Sequence, residues 1–399
     1  MLVLCLAAPP ALAMELARED DGAVVEVSGF YKNLLFGVAV PNGPAGAMDA
    51  QILRAQTRFL FAEVFELDVA YQLQFVLATD PAFVGGTSLS GTIGGTGAGP
   101  QRRLVPLESV VASTPTSVLT QNLDRLAMKF ALPFGDLTIG RQVLSWGTGR
   151  FFNPTDVLSP FPPTVIDREV RRGFDAVRLA IALGETTQLD LLWLPQLVAE
   201  EHGGVARFQT NVLGWDFSIS AGKYVRDFVV GFDLVGDVGP VNVHAEGAYT
   251  IEWLKAGAVG EHFFRGVAGA DWRPHEVVML TLEYSYNGYG TTDPSRYVQV
   301  LTSVRARRGE VFGAGKHVVA AAASWRANDL LSTSLAVLCN VADPSAVAIA
   351  SLEYSFTQRV LVRAGAYVPM GRPPVNGQLK SEYGSGAFGA FAQVGVYVP

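Results

Sequence analysis

Residues 277–289 read VVMLTLEYSYNGY, from Val277 to Tyr289. Val278, Leu280, Leu282, Tyr284 and Tyr286 are apolar or aromatic, and Thr281, Glu283, Ser285 and Asn287 between them are polar. A period of two places these sets on opposite faces of one strand. The same dyad recurs about eighteen times with hardly a helical stretch between, which predicts a sheet closed on itself rather than two stacked sheets. In such a barrel the apolar rows face lipid and the polar rows face an aqueous lumen.

Working outward, clear strands precede and follow this one. Leu67, Val69, Tyr71, Leu73, Phe75 and Leu77 alternate with Asp68, Ala70, Gln72 and Gln74. Val24–Val38, Leu53–Phe61, Asn122–Leu132, Asp136–Leu144, Phe174–Leu183 and Gln188–Leu197 read the same way. So do the segments from Val205 to Val368, and Gly386–Val398 closes the chain. The expected fold class is therefore all-β, a closed antiparallel transmembrane barrel of about 18 strands (16–18). Connections after odd-numbered strands are the long ones, notably after strands one, three, five, thirteen and seventeen. Those after even-numbered strands are tight turns such as Leu213-Gly214 and Thr357-Gln358. A barrel with both ends on one side of a membrane predicts this asymmetry, with short periplasmic turns and longer extracellular loops. A soluble sandwich has no reason for it.

Composition agrees. Of the 399 residues 49% are apolar and only 17% charged, yet no uncharged apolar run is long enough for a membrane-crossing helix. The net charge of -7 argues against a nucleic-acid partner, which would want a basic face. Residues 1–13, MLVLCLAAPPALA, resemble the end of a secretory signal, with small residues placed for cleavage after Ala13. Its removal takes Cys5 and leaves Cys339 alone, so no intrachain disulfide is expected. Residues 14–23 form a short acidic periplasmic segment, and 24–399 the barrel. The Gly/Ser/Thr-rich stretch of about residues 79–121 reads as a surface loop, since no Gly-Lys-Ser/Thr follows its glycines.

The polar rows carry an uneven charge map. Early strands turn Arg54, Arg58, Arg125, Lys129, Arg178 and Arg207 inward. Later ones turn Asp233, Glu246, Glu252, Glu283 and Glu353 inward, with Arg265 and Arg363 as exceptions. Two opposed charge walls would orient charged or dipolar solutes at a constriction. Taken singly, each of these charges reads more simply as solvated on a wet face. His244 and Glu246 share a face, but no third ligand stands at metal spacing, and neither Gly-x-Ser-x-Gly nor His-Glu-x-x-His occurs. The sequence thus supports no enzyme, cofactor or metal.

Residues 139–179 include Gly140-Arg141-Gln142, then Trp146-Gly147-Thr148-Gly149-Arg150, then Gly173-Phe174-Asp175-Ala176-Val177-Arg178-Leu179. This stretch resembles the alginate-export-like outer-membrane porins. The resemblance implies an eighteen-stranded outer-membrane barrel passing hydrophilic solutes or polysaccharide by diffusion, with Arg141, Arg150 and Arg178 lumen-facing beside an inward-folded loop. The acidic wall departs from the basic pore of a polyuronate exporter. Residues 146–172, with Arg150, Arg168, Arg171 and Arg172, are either a pore-constricting loop or an outer surface loop. The leading expectation is a passive channel of a Gram-negative outer membrane, with lipid and lipopolysaccharide outside and a hydrophilic solute or saccharide inside. A closed-lumen barrel acting as an anchor or assembly partner comes second, a barrel enzyme third. Monomer and homo-oligomer both stay open.

Overall fold

The computed structural model describes residues 14–18, 23–39, 45–81, 103–253, 259–384 and 386–398. Residues 1–13, read above as a signal and containing Cys5, and residues 82–102 of the Gly-rich stretch lie outside them. The strands run in order β1 (Met14–Arg18), β2 (Ala23–Ala39), β3 (Ala45–Phe61), β4 (Phe65–Ala78), β5 (Glu108–Thr114), β6 (Ser117–Leu132) and β7 (Gly135–Gln142). Then follow β8 (Phe174–Ala182), β9 (Gln188–Leu194), β10 (Gly203–Val212), β11 (Trp215–Tyr224), β12 (Asp227–Val238), β13 (Val241–Trp253) and β14 (Val259–His275). The last are β15 (Val278–Asn287), β16 (His317–Arg326), β17 (Leu331–Asn340), β18 (Ser345–Thr357), β19 (Val360–Met370) and β20 (Phe388–Val398).

Eighteen of them form a closed antiparallel barrel. Each pairs with its neighbour in the chain, and β2 pairs with β20 from Gly29 opposite Val398 to Ala39 opposite Phe388. The other two, β1 and β5, complete the wall where a barrel strand stops short. β1 pairs with the lower part of β2, below the end of β20. β5 pairs with Ser117–Asn122 of β6, above the short β7. Both cover backbone edges that would otherwise stand unpaired.

The dyad does what the sequence predicts. Leu282 and Tyr284 of β15 are exposed on the outside, while Thr281, Glu283 and Ser285 are buried inside. Directly opposed residues share a face. Thus Phe217 meets Leu234 and Ile219 meets Phe232 outside, while Ser218 meets Asp233 inside. A continuous belt of this kind far exceeds the apolar patch a water-soluble monomer exposes, and it matches a hydrocarbon surround. The connections 62–64, 133–134, 183–187, 213–214, 239–240, 276–277, 327–330 and 358–359 are tight, as expected of the periplasmic side.

Two readings differ. The stretch of about residues 79–121, read as a surface loop, contains β5 and the first residues of β6 from Ser117, which pair with each other because Ser and Thr there are interspersed with Val110, Val118 and Leu119. The sequence starts the second strand at Leu53 and makes the first connection long, but β3 starts at Ala45 and only residues 40–44 intervene. Here the dyad is inverted. Leu34, Phe36, Met48, Ala50 and Ile52 point inward and are buried, while Asn33, Asp49 and Gln51 hydrogen-bond to one another on the outward row. The inner face is apolar because chain packs against it, so a rule of polar inside fails there.

Candidate functional site: the lumen and the loop that crosses it

β7 ends at Gln142 and β8 begins at Phe174, and residues 143–173 between them leave the wall. The interior carboxylates decide where they go. Glu246 of β13 accepts backbone N–H groups from Thr148 (2.6 Å), Gly149 (3.1 Å) and Thr155 (3.3 Å). Glu283 of β15 accepts those of Arg150 (2.6 Å), Phe151 (3.2 Å) and Phe152 (3.0 Å). Between them on β14, Asp271 pairs with Arg150 at 2.7 Å. His244 Nε2 lies 3.3 Å from Glu283 and reaches it across Gly269, where a Cβ would stand 2.4 Å from that nitrogen.

Farther along, the segment meets the strands around the barrel's seam. Lys32 of β2 binds Asp167 at 2.6 Å and also Glu169. Gln393 of β20 donates to Asp167 and Tyr397 to Glu169. Arg363 and Tyr367 of β19 donate to the carbonyls of Ile166 and Thr164. Arg125 of β6 donates to the Arg171 carbonyl at 2.7 Å. Apolar contacts fill in the rest. Trp146, Val157 and Leu158 pack against Leu192, Val205, Tyr224 and Val229 of β9 to β12. Phe151, with Phe152 and Ile166, packs against Phe36, Met48, Val76, Val318, Leu338 and Val347. Residues 143–173 therefore lie inside the barrel and touch its wall on opposite sides. Burial pushes the Asp167 carboxyl up, but the Lys32 ammonium, the Arg363 charge and the Glu169 N–H together outweigh it and hold the group below the usual carboxylate range.

The inward charges named from the sequence scatter over several roles. Arg54 binds Asp124 at 3.1 Å, Arg178 binds Asp190 at 2.7 Å, and Arg207 binds Asp233 at 3.2 Å. Glu353 binds Arg363 at 2.6 Å. Arg125 pairs with Asp124, its neighbour in sequence. Arg141 is buried where the chain leaves the wall, bonded to Asp175 and to the carbonyls of Leu123 and Val105. Its register partner Leu126 belongs to the outward row, so Arg141 is a tie within the wall. Arg58 and Lys129 are half exposed beside Glu26, Glu66 and Asp136. Glu252, at the far end of β13, accepts the Glu261 N–H. Two opposed charge walls do not face each other across open water. Most basic residues close on an acidic partner beside them, and Glu246 and Glu283 are covered by loop backbone.

Sequence reasoning missed Lys32, Asp124, Asp271 and Tyr367 as site residues. Asp124 occupies a β-bulge, where Ala70 pairs with Arg125 and Tyr71 with Leu123. The extra residue turns inward beside Arg125, which strict alternation forbids. It binds Arg54, Arg103 and Arg125 and accepts the Gly173 N–H, pinning the loop's exit.

A second inward element sits at the mouth. Two short helices, α1 (Tyr297–Leu301) and α2 (Val304–Arg307), lie between β15 and β16. Arg305 of α2 binds Asp227 and Glu310 at 3.0 Å and lies over the Phe263 ring.

No protein-family model and no curated protein sequence matches the chain. Solved structures do. OccK5 (OpdH) of Pseudomonas aeruginosa superposes with a TM-score of 0.60 at 10% identity, covering 94% of this chain and 98% of its own. OccK2 (OpdF) of the same organism gives 0.60 at 11% identity, covering 94% and 97%. OccAB1 of Acinetobacter baumannii gives 0.56 at 9% identity, covering 97% and 98%. The chain shares its fold with the Occ/Opd outer-membrane porins. The likeness fits a porin-like barrel and does not single out the alginate-export-like group. At such identities it is a statement about fold, and function has to be argued from the lumen.

Proposed function

We propose that this protein is a passive channel of a Gram-negative outer membrane, carrying small hydrophilic solutes through a lumen narrowed by residues 143–173. The observation that carries this reading is the loop itself, bonded to β13, β14 and β15 at one end and to β2, β19 and β20 at the other. A segment tied to both sides of a closed barrel limits what passes by size. Outer-membrane lipid and lipopolysaccharide meet the apolar belt, and residues 1–13 serve as the export signal. The likeness of residues 139–179 to alginate-export-like porins favours a polysaccharide cargo, but a polymer needs a continuous wide bore. The crossing loop favours small solutes instead.

A closed lumen is the second reading, and the apolar packing of the loop against both halves of the wall speaks for it. Swelling of liposomes carrying the purified protein separates the two. Swelling with small sugars that falls off steeply with solute size is the outcome for a channel. No swelling with any solute is the outcome for a plugged anchor.

A further inference from the structure

We infer that the loop is built as two unequal arms, and that residues 147–155 form a latch that opens while residues 156–172 stay fixed. This rests on the channel reading. The fixed arm closes on itself. Asp156 accepts from Arg171 and from the Ser159 N–H, and Ser159 Oγ donates to the Arg172 carbonyl at 2.9 Å. Lys32, Arg363, Tyr367, Gln393 and Tyr397 then hold it to the wall through side chains of their own. Among the described residues, Arg172 Nε is the one buried side-chain polar atom of residues 156–172 outside a hydrogen bond, and that guanidinium binds Glu108 through Nη2. Pro160, Pro162 and Pro163 restrict the backbone of this arm further.

The other arm is held differently. Six backbone N–H groups of residues 148–155 rest on Glu246 and Glu283, Arg265 and Arg168 donate to the carbonyls of Pro154 and Arg150, and among the described residues the arm's one ion pair is Arg150–Asp271. Around these contacts Trp146 Nε1, Thr148 Oγ1, Thr155 Oγ1, His244 Nδ1, Thr250 Oγ1 and Arg265 Nε are buried without a hydrogen-bond partner among the described residues. Water would satisfy all of them once the arm lifted, so their burial works against the docked state. Gly147 at φ +92° supplies a backbone joint at the arm's start, where a Cβ would stand 2.5 Å from Glu246 Oε2. Glu246 and Glu283 are accordingly positioning residues: they set the width of the passage through the loop backbone.

Two experiments test this, each in a chain with Cys5 and Cys339 replaced by serine. In the first, Thr155→Cys and Val165→Cys are compared; both positions are buried, at 4% and 8% exposure. A water-soluble maleimide is expected to label Thr155→Cys at least roughly tenfold faster, as local opening of one arm requires. Equal protection of the two, or faster labelling at Val165→Cys, overturns the inference whether or not the protein conducts. In the second, Thr155→Cys is combined with Gly231→Cys, since a Cβ on Gly231 would lie 3.0 Å from the Thr155 side chain. The oxidised pair should conduct less than the same protein after reduction. An unlocked protein that conducts identically to the locked one removes the latch and leaves the channel standing. Absence of conductance in the unlocked protein removes the channel reading itself.

Discussion

Asp124 shows how much a single residue settles here. Buried, and bonded to three arginines and the Gly173 N–H, it joins β3, β6 and the loop's exit. Asp124→Ala takes the paired anion from Arg54 and Arg125, while Arg103 keeps Glu108, and should destabilise the barrel by about 3–5 kcal/mol, read from urea unfolding in detergent. Lys32 and Asp167 give a second residue-level prediction, this one in pH. The folded carboxyl lies below its ordinary value, so the stabilisation is in place above about 3.9, the unfolded value, and is lost only as pH falls through the lower folded value. Val165→Cys should therefore stay protected from maleimide from pH 7 down to about 4, and Asp167→Asn should weaken that protection throughout the range. Neither residue's role could be read from the chain. A bulge breaks the parity that sequence reading relies on, and the Lys32 partner lies 135 residues away.

At the scale of elements the sequence was far more legible. The alternation of β15 and the contrast between tight turns and long connections follow directly from one face meeting lipid and the other not. What it hid was β5 with the start of β6, read as loop, and the first part of β3, where Met48, Ala50 and Ile52 face inward against packed chain rather than water. The destination of residues 143–173 was equally hidden, because it depends on carboxylates of β13 to β15 about a hundred residues later. Topology gives a test at this scale. A cysteine at Leu213, which is 95% exposed in a tight turn, should be labelled only from the periplasmic side. A cysteine at Val298 of α1, also exposed, should be labelled in intact cells by a membrane-impermeant maleimide. The reverse pattern would invert the barrel.

For the whole molecule the pairing of interior charges matters more than their count. Arg54, Arg178 and Arg207 each bind an aspartate, and Arg363 binds Glu353, so little uncompensated field of either sign is left along the lumen. The reversal potential in a salt gradient should accordingly lie near zero, and a strong preference for either ion would contradict that balance. The most direct test is single-channel conductance in planar bilayers, comparing the intact protein with one lacking Phe151–Arg168. A lumen narrowed by this loop predicts a several-fold larger conductance after deletion, in a barrel that still shows heat-modifiable migration. Unchanged conductance in a folded deletion variant would show that the loop does not govern the passage.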